Sequence, residues 1–392
     1  MKVVLAGYGS RGDTEPFAAV GRELQRRGHD VCMAVAPQMV GFVELAGLAA
    51  IPFGPESLAS GRNLTTQDPV SAVADQAVAD QKEYLSRAMA EWGTTLTTLA
   101  NGADLLLTGR VEQQLAENVA EYYGIPQATL HFYPQAHLRQ SGWVGDAMQE
   151  AEHAHRRALG LPDATGPAAR SLEIQAYDAL CFPSLAAEWA DRDGWRPFVG
   201  TLTLELPTEA DDEVLSWIAA GTPPIYFGFG SGVWLQHPAH TLGLISVACA
   251  RLGERALICA GASDFANAPH SDQVKVVDAM NHAVIFPACR AVVHQGGAGT
   301  TAAGMRAGIP TLILWHPTND QQIWADAVTR LKVGSGRAFS ASNLGSLVAD
   351  LRSILNPQCI TRAREVAPQV TKPAVSVASA ADLLEDAGSV RA

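Results

Sequence analysis

The chain has 392 residues and a formal net charge of −12, from 40 acidic and 28 basic side chains. This excess of negative charge argues against broad electrostatic binding to nucleic acid or to an anionic membrane surface. A hydrophobic content of 47% over this length is enough for two domains, each with its own core. No apolar run approaches the ~18 residues that a membrane-spanning helix needs, so we predict no integral membrane segment.

The six cysteines are widely spaced and include no CxxC pair, which predicts free thiols rather than a zinc site or a disulfide framework. The sequence opens on an apolar strand, MKVVLAGYG, which lacks the pattern of a signal peptide. Together these features predict a cytoplasmic protein, because free thiols persist in a reducing compartment.

The first half of the chain alternates apolar strand-like stretches with helical patterns. It opens with a strand at residues 2–6 and a helix at 17–27, which Thr14 is predicted to cap. Further strands are predicted at 29–36, 50–53, 104–108, 127–131 and 179–182, and further helices at 81–99, 112–123 and 146–159. Such alternation is typical of a parallel sheet covered by helices on both faces.

The second half repeats this design. Between the two halves, the alternation of strands and helices loosens from residue 196 to 207, and the sequence becomes acidic as far as Glu213. We interpret this stretch as a linker. GYGS at residue 7 and GFGS at residue 228 occupy equivalent places after the first strand of each half. We therefore predict an α/β fold of two facing Rossmann-like domains, residues 1–205 and 206–372, followed by an amphipathic helix within 373–392.

The first of these turns, GYGSRG, formally matches the dinucleotide fingerprint GxGxxG. That fingerprint needs an acidic residue about 20 positions further on, at the end of the second strand, to hold a ribose. The second strand ends in Val35, Ala36 and Pro37, without a carboxylate. We therefore do not expect a dinucleotide at this turn.

The stretch from Ala291 to Gln321 carries the clearest functional pattern. A short apolar strand ends at His294, a turn of small residues follows, and a helical stretch begins at Thr300. The turn consists of Gly296, Gly297, Ala298 and Gly299. A helix start after such a turn favours anions, because free backbone N–H groups converge there and the helix dipole adds positive polarity. The Thr300 and Thr301 hydroxyls can add further donors.

A second polar group follows the next strand: Asn319, Asp320 and Gln321. Open α/β sheets bind ligands at the carboxyl ends of their strands, where these side chains are expected to lie. A phosphate site beside a carboxylate and an amide suits a phosphorylated sugar better than a bare phosphate.

HQGGAGTT followed by a DQ pair resembles the donor-binding region of inverting, nucleotide-sugar-dependent glycosyltransferases. The resemblance is to the bacterial glycopeptide and macrolide enzymes and to the sterol glucosyltransferases. It extends over nearly the whole chain and implies the GT-B fold, in which the last helix packs back on the N-terminal domain. It also implies a sugar transferred from a UDP- or dTDP-sugar, a co-substrate rather than a cofactor, to a hydroxyl of a natural product, sterol or glycolipid.

GSRGDTEP near the N-terminus resembles the acceptor-side motif of this family, whose aspartate is the general base. Asp13 matches that aspartate, although a carboxylate before a helix is also a common helix-capping group. The resemblance gives this chain the single-carboxylate version of the motif, where plant members have a histidine supported by a distant aspartate.

The same resemblance assigns the donor site. Its members here are Arg11, Gly12, Ser231, Met280, His294, Gly296, Gly297, Ala298, Gly299, Thr300, Asn319, Asp320 and Gln321. Backbone groups around Met280 are expected to hold the base, since the stacking tryptophan of the plant signature is missing. No acidic DxD pair for a metal is evident between the two halves, so we predict a metal-free mechanism.

Two polar stretches interrupt the first domain, residues 55–75 and 132–145. We interpret them as acceptor-binding loops, with His131 and Tyr133 as contact residues, or alternatively as ordinary surface insertions. A sugar-nucleotide epimerase and a non-catalytic sugar-nucleotide-binding protein are the alternatives to a transferase on this fold.

Overall fold

The structure, a computed structural model, describes residues 1–55, 72–134, 143–162, 171–190, 194–230, 238–261, 272–316 and 320–389. The chain divides into two compact units. The first comprises Met1–Tyr177, Ser184–Leu204 and Pro373–Ala392, and the second comprises Asp178–Pro183 and Glu205–Lys372.

In the described part of the first unit, six strands form one parallel sheet in the order β3-β2-β1-β4-β5-β6. The strands are β1 Lys2–Gly7, β2 Asp30–Val35, β3 Ala49–Pro52, β4 Leu105–Gly109, β5 Gln127–His131 and β6 Leu172–Gln175. The helices between them are α1 Arg11–Arg26, α2 Val40–Leu45, α3 Ala72–Leu99, α4 Gln113–Tyr123 and α5 Trp143–Ala158, with α6 Pro183–Trp189 after β6. The central strands β1 and β4 are buried along their apolar lengths, as expected of a sheet covered on both faces.

The second unit repeats this topology, with the described strands in the order β12-β11-β10-β7-β8-β9. Its strands are β7 Ile225–Gly228, β8 Ala256–Cys259, β9 Val274–Val277, β10 Ala291–His294, β11 Thr311–Trp315 and β12 Gly334–Ala338. Its helices are α7 Asp211–Ala219, α8 Pro238–Leu252, α9 His282–Ile285, α10 Ala298–Arg306, α11 Gln321–Leu331, α12 Leu344–Ile354 and α13 Pro357–Val366. All the described strand pairs are parallel, and the unit has its own buried apolar core.

Each sheet reverses its strand order at one place. The chain winds outward from β1 in one direction and from β4 in the other, and β7 and β10 repeat this relationship. Such a switch point leaves a crevice at the carboxyl ends of the two adjacent strands, where open α/β sheets bind ligands. The fold therefore marks the ends of β1 and β4, and of β7 and β10, as candidate sites.

The last helix, α14 Pro373–Ser389, belongs to the first unit and packs against α1. Its inner face buries Ala380, Ala381 and Leu384. At the rim, Arg27 pairs with Glu385 at 2.7 Å between Nη1 and Oε2. The predicted fold class, two Rossmann-like domains with a final helix on the N-terminal one, is confirmed. None of the helices in the described ranges is long and apolar enough to cross a membrane.

Several predicted elements were wrong. Within the predicted strand at 179–182, Ala179–Cys181 form a short 3-10 helix. The sixth strand is the half-polar β6, which its pairing with β5 stabilises. The acidic stretch interpreted as linker contains α7, whose first turn holds Asp211, Asp212 and Glu213. Carboxylates are favoured at that end of a helix by its dipole.

The six cysteines are free thiols.

Candidate active site

At the end of β1 the chain turns sharply into α1, which begins at Arg11 and has Ser10 as its N-cap. The predicted helix start was six residues too late, and Thr14 is a buried helical residue instead of the cap. Asp13 lies in the first turn, where its Oδ2 accepts the Ser10 N–H at 2.8 Å and the Ser10 hydroxyl at 3.0 Å. The carboxylate thus stabilises the helix start through one oxygen and leaves Oδ1 outside these two contacts.

Gly9 allows the Asp13 carboxylate to lie close to the backbone of this turn. Its φ is +148°, and a Cβ built on it would stand 2.3 Å from Asp13 Oδ2. A side chain at this position would displace the carboxylate. Burial raises the pKa of Asp13, and the hydrogen bonds from Ser10 oppose that change. A carboxylate with a raised pKa is a better proton acceptor at neutral pH.

A second carboxyl, which the sequence reasoning missed, stands at the neighbouring strand end. Glu112 is the N-cap of α4, three residues after β4, and its side chain is buried. The Tyr8 N–H donates to Glu112 Oε1 at 3.0 Å. Burial first, and the charge of Asp13 less strongly, raise the pKa of Glu112 to about 7. The signal in the sequence was a glutamate three residues after a buried strand, where the next helix begins.

Arg11 and Gly12, assigned to the donor, lie in this same first turn. The Arg11 guanidinium pairs with Glu15 at 2.8 Å between Nε and Oε2 and lies over the Phe42 ring, 5.0 Å from its centroid. Gly12 is exposed. Their role in donor binding stays a prediction.

An aromatic cluster lies beside the Asp13 turn. The Tyr8 hydroxyl is 2.6 Å from that of Tyr84 and donates to the Pro55 carbonyl at 2.8 Å. The Tyr8 ring also contacts Trp92, with centroids 4.8 Å apart. A half-buried tyrosine of this kind offers an apolar ring beside the candidate base.

His131 and Tyr133, assigned to the acceptor, stand at the end of β5. His131 is buried, and burial first, with Arg110 and Arg196 second, lowers its pKa to about 3. His131 is therefore neutral at physiological pH, while Tyr133 is half-buried. Residues 56–71 and 135–142, most of the two predicted acceptor loops, lie outside the described residues.

In the second unit, the Ala291–Gln321 stretch forms a strand, a turn and a helix as expected. Helix α10 begins at Ala298 with Gly297 as N-cap, two residues before the predicted start. Gly299 and Thr300 therefore lie in the first helical turn. The Thr301 hydroxyl donates back to the Gly297 carbonyl at 2.8 Å. We predicted that this hydroxyl donates to an anion, and that prediction was wrong because its proton is already used.

His294 is fully buried at the end of β10, and its Nδ1 accepts the Gly296 N–H at 3.0 Å. Because an amide N–H can only donate, the neutral ring must carry its proton on Nε2. Nε2 is buried and has no hydrogen-bond partner among the described residues. Burial lowers the pKa of His294 to about 3, so the ring presents a neutral N–H donor.

Gln295, which the sequence reasoning passed over within HQGG, lies between two glycine turns. A Cβ on Gly230 would stand 2.4 Å from Gln295 Nε2, and one on Gly297 would stand 3.2 Å from it. These glycines follow β7 and β10, the two strands of the second switch point. The side-chain amide of Gln295 is thus placed beside the start of α10, where it can donate to the same anion.

The DQ pair comes next to this turn. A Cβ on Gly296, whose φ is +104°, would stand 2.9 Å from the Gln321 carbonyl oxygen, so glycine is required there. The Gln321 Oε1 accepts the His316 N–H at 2.8 Å, which fixes the orientation of the side-chain amide. Asp320 is the N-cap of α11. Ser231 and Asn319 lie outside the described residues, and the Met280 side chain is buried in the core.

Comparisons with known proteins agree with this architecture. Residues 3–98 match the family model for the glycosyltransferase family 28 N-terminal domain. Residues 260–386 match the model for the C-terminal domain of erythromycin biosynthesis protein CIII-like proteins. An uncharacterised glycosyltransferase of Mycobacterium tuberculosis is 54% identical over 99% of this chain and 99% of its own.

More distant relatives have named activities. The vancomycin aglycone glucosyltransferase of Amycolatopsis orientalis is 28% identical over 99% of this chain and 98% of its own. The crystal structure of the kitacinnamycin glycosyltransferase superposes with a TM-score of 0.72 at 18% identity, covering 98% of each chain. The structure of the spinosyn rhamnosyltransferase, complexed with thymidine diphosphate, superposes with a TM-score of 0.68 at 18% identity, covering 97% of this chain and 100% of its own.

The fold and the matched domains define a glycosyltransferase of the GT-B class. Within that class, the chain belongs to the glycosyltransferase family of its mycobacterial relatives, with which it shares more than half of its residues over nearly full length.

Proposed function

We propose that this glycosyltransferase transfers a sugar from a UDP- or dTDP-sugar to a hydroxyl of a small or amphipathic acceptor, with inversion at the anomeric carbon. The acceptor would be a natural product, sterol or glycolipid. One observation carries the proposal: the buried Nε2–H of His294, next to the N-terminus of α10, has no hydrogen-bond partner among the described residues. A buried donor without a partner costs about 1–3 kcal/mol, a cost that an anionic ligand can remove.

The donor diphosphate would bind at the second switch point. There the N–H groups in the first turn of α10, the His294 N–H and the Gln295 amide would donate to one anion. The same groups would stabilise the charge that grows on the diphosphate as the sugar leaves. A spinosyn rhamnosyltransferase of this fold was crystallised with thymidine diphosphate, which supports a nucleoside diphosphate as ligand.

Asp13 would activate the acceptor at the first switch point. Its carboxylate would take the proton of the acceptor hydroxyl while that oxygen bonds to the anomeric carbon and the carbon–diphosphate bond breaks. Attack from the face opposite the leaving group inverts the configuration. The Tyr8 ring offers an apolar contact for an aromatic or lipid-like acceptor.

The test is a two-stage assay on the purified chain. UDP, dTDP, UMP and dTMP are first compared by thermal shift, where saturation at 100 times Kd stabilises a protein by about 2.7 kcal/mol. The preferred diphosphate sugar is then incubated with phenolic, sterol and macrolide acceptors, and the anomer of the product is determined by NMR.

We expect the diphosphates to stabilise the chain more than the monophosphates, and the product to be of inverted configuration. The Gln295→Glu variant, which places a negative charge beside the diphosphate, should lose most of the thermal shift. Epimerised sugar without transfer, binding without any turnover, or a product of retained configuration would each overturn the proposal.

A further inference from the structure

Asp13 and Glu112 occupy matching positions on neighbouring strands. Asp13 lies in the first turn of α1 after β1, and Glu112 caps α4 after β4. The two strands pair in parallel, with Ala6 opposite Thr108. Both carboxyls therefore emerge at the same edge of the first sheet, at its switch point.

One short turn holds both groups. The Tyr8 N–H donates to Glu112 and the Ser10 N–H to Asp13, so two backbone amides only two residues apart each orient one carboxyl. Gly9 lies between them and leaves space for Asp13. On the other side, a Cβ on Gly109 would stand 2.8 Å from Glu112 Oε2. Gly9, two residues after β1, and Gly109, the last residue of β4, thus leave the space that the carboxyls of Asp13 and Glu112 occupy.

The surroundings provide little to neutralise two charges. Glu112 is only 1% exposed, whereas Asp13 is partly accessible. In the described ranges, neither carboxylate forms an ion pair with a lysine, arginine or histidine. The groups that act on Glu112 are backbone amides, from Tyr8, Gly109 and its own N–H, and the charge of Asp13. Two nearby carboxyls in such surroundings do not both ionise easily.

We propose that Glu112 is a positioning residue coupled to Asp13: it keeps its proton while Asp13 is ionised, so that a single negative charge lies at this switch point, on the more accessible carboxyl. This inference rests on the proposed role of Asp13 as the base. Near neutral pH the pair then holds one proton. During transfer Asp13 gains the proton of the acceptor hydroxyl, Glu112 retains its own, and Asp13 later releases the gained proton to water.

The coupling has a reciprocal consequence. If ionised Asp13 raises the pKa of Glu112, ionised Glu112 must raise the pKa of Asp13 by the same amount. Above about pH 7 the pair loses its shared proton, and Asp13 becomes a stronger base beside a second charge. A purely structural Glu112, held only by the Tyr8 amide, would have no such effect on Asp13.

The experiment follows both carboxyls by carbon-13 NMR of the full chain, labelled at aspartate and glutamate side chains, over about pH 4 to pH 9. Wild type is compared with Glu112→Gln, Asp13→Asn and the control Glu117→Gln, which changes another glutamate of α4. We expect Asp13→Asn to lower the titration midpoint of Glu112, because the charge that raises it is removed. Glu112→Gln should leave the titration midpoint of Asp13 nearly unchanged, because Glu112 is neutral while Asp13 titrates. Glu117→Gln should move neither.

The activity profile gives an independent readout. The pH dependence of kcat/KM should show a transition near pH 7 in the wild type and in Glu117→Gln that is missing in Glu112→Gln. If Glu112→Gln does not fold, the Asp13→Asn titration still tests the coupling, because Glu112 is intact in it. A Glu112 midpoint that is unshifted in Asp13→Asn, or an Asp13 midpoint that rises in Glu112→Gln, would overturn the pairing. A chain without transferase activity would overturn the proposed function, while the NMR shifts would still report the pair.

Discussion

The imidazole Nδ1 of His294 accepts the backbone N–H of Gly296 at 3.0 Å. This one contact determines which ring nitrogen carries the proton, since an amide can only donate. It therefore converts a histidine at a strand end into a neutral donor that needs no protonation to bind an anion.

We expect His294→Ala to weaken the binding of the preferred nucleoside diphosphate by roughly 10- to 100-fold, since a hydrogen bond to a charged group contributes about 1.5–3 kcal/mol. Because burial holds the pKa of His294 at about 3, the ring contributes no titration between pH 6 and pH 8. The ratio of the wild-type to the variant affinity for the nucleoside diphosphate should thus be constant in that range. Isothermal calorimetry at several pH values measures it, and an advantage that grows as the pH falls would show that a charged imidazolium binds instead.

Chelation should leave turnover intact. The donors at the start of α10 and the His294 N–H can stabilise the leaving diphosphate, which is the task of a metal in other transferases. The measurement is turnover after dialysis against EDTA, beside enzyme dialysed without it. Full loss of activity that magnesium or manganese restores would contradict the prediction.

Removal of α14 should destabilise the first unit. Its buried face includes Ala380, Ala381 and Leu384, and Arg27 forms ion pairs with Asp382 and Glu385. A chain ending at Lys372 is expected to be insoluble or to melt at a much lower temperature.

The point variant Leu384→Ala refines this test, and it should cost about 2–5 kcal/mol in the free energy of unfolding. The exposed Val375→Ala on the same helix is the matched control and should cost little. If the truncated chain keeps its melting temperature, the helix is dispensable.

Stability should also report the state of Glu112. Its pKa is about 7 in the folded chain and near 4.5 when unfolded, so the folded state binds the extra proton. Stability from this group is present below about pH 4.5 and is lost as the pH rises through about 7. Glutamine has no proton to lose, so the variant keeps its stability as the pH rises. The free energy of unfolding of Glu112→Gln should therefore increase relative to that of the wild type with rising pH.

The gain should reach about 2–3 kcal/mol by about pH 8.5, at 1.36 kcal/mol for each pKa unit. Chemical denaturation at intervals from about pH 5.5 to pH 8.5 measures it. The control is Glu44→Gln at an exposed site, whose difference from the wild type should stay flat. A flat difference for Glu112→Gln as well would show that Glu112 is ionised throughout.

Much of the fold was predictable because its strands are short apolar runs bounded by glycines and polar residues. The strands Gln127–His131 and Ala291–His294 were predicted to the residue. The strand β12, GSGRA, was missed because it has no apolar pattern, and its pairing with β11 stabilises it. The start of α1 was placed too late because Gly12 and Pro16 disfavour a helix locally, while the Ser10–Asp13 contacts stabilise it.

The candidate site was predictable where a residue lies inside a motif, and not where topology brings it there. His294 and Asp13 belong to contiguous patterns that the sequence displays. Glu112 lies 99 positions from Asp13, and only the pairing of β1 with β4 places them at one edge. Gln295 was visible within HQGG, but its position between two glycine turns depends on the neighbouring strand β7.

The most direct test of the account is the turnover of Asp13→Asn. An alcohol is a poor nucleophile at neutral pH, and a positioned general base contributes about 10²–10⁴-fold. Asn keeps an oxygen that can accept the Ser10 N–H, so the helix start should survive the change. We expect a melting temperature and a nucleoside diphosphate affinity close to those of the wild type, with kcat reduced by at least about 100-fold. A kcat near the wild-type value, at matched melting temperature, would contradict the account and leave Asp13 as a helix-capping residue alone.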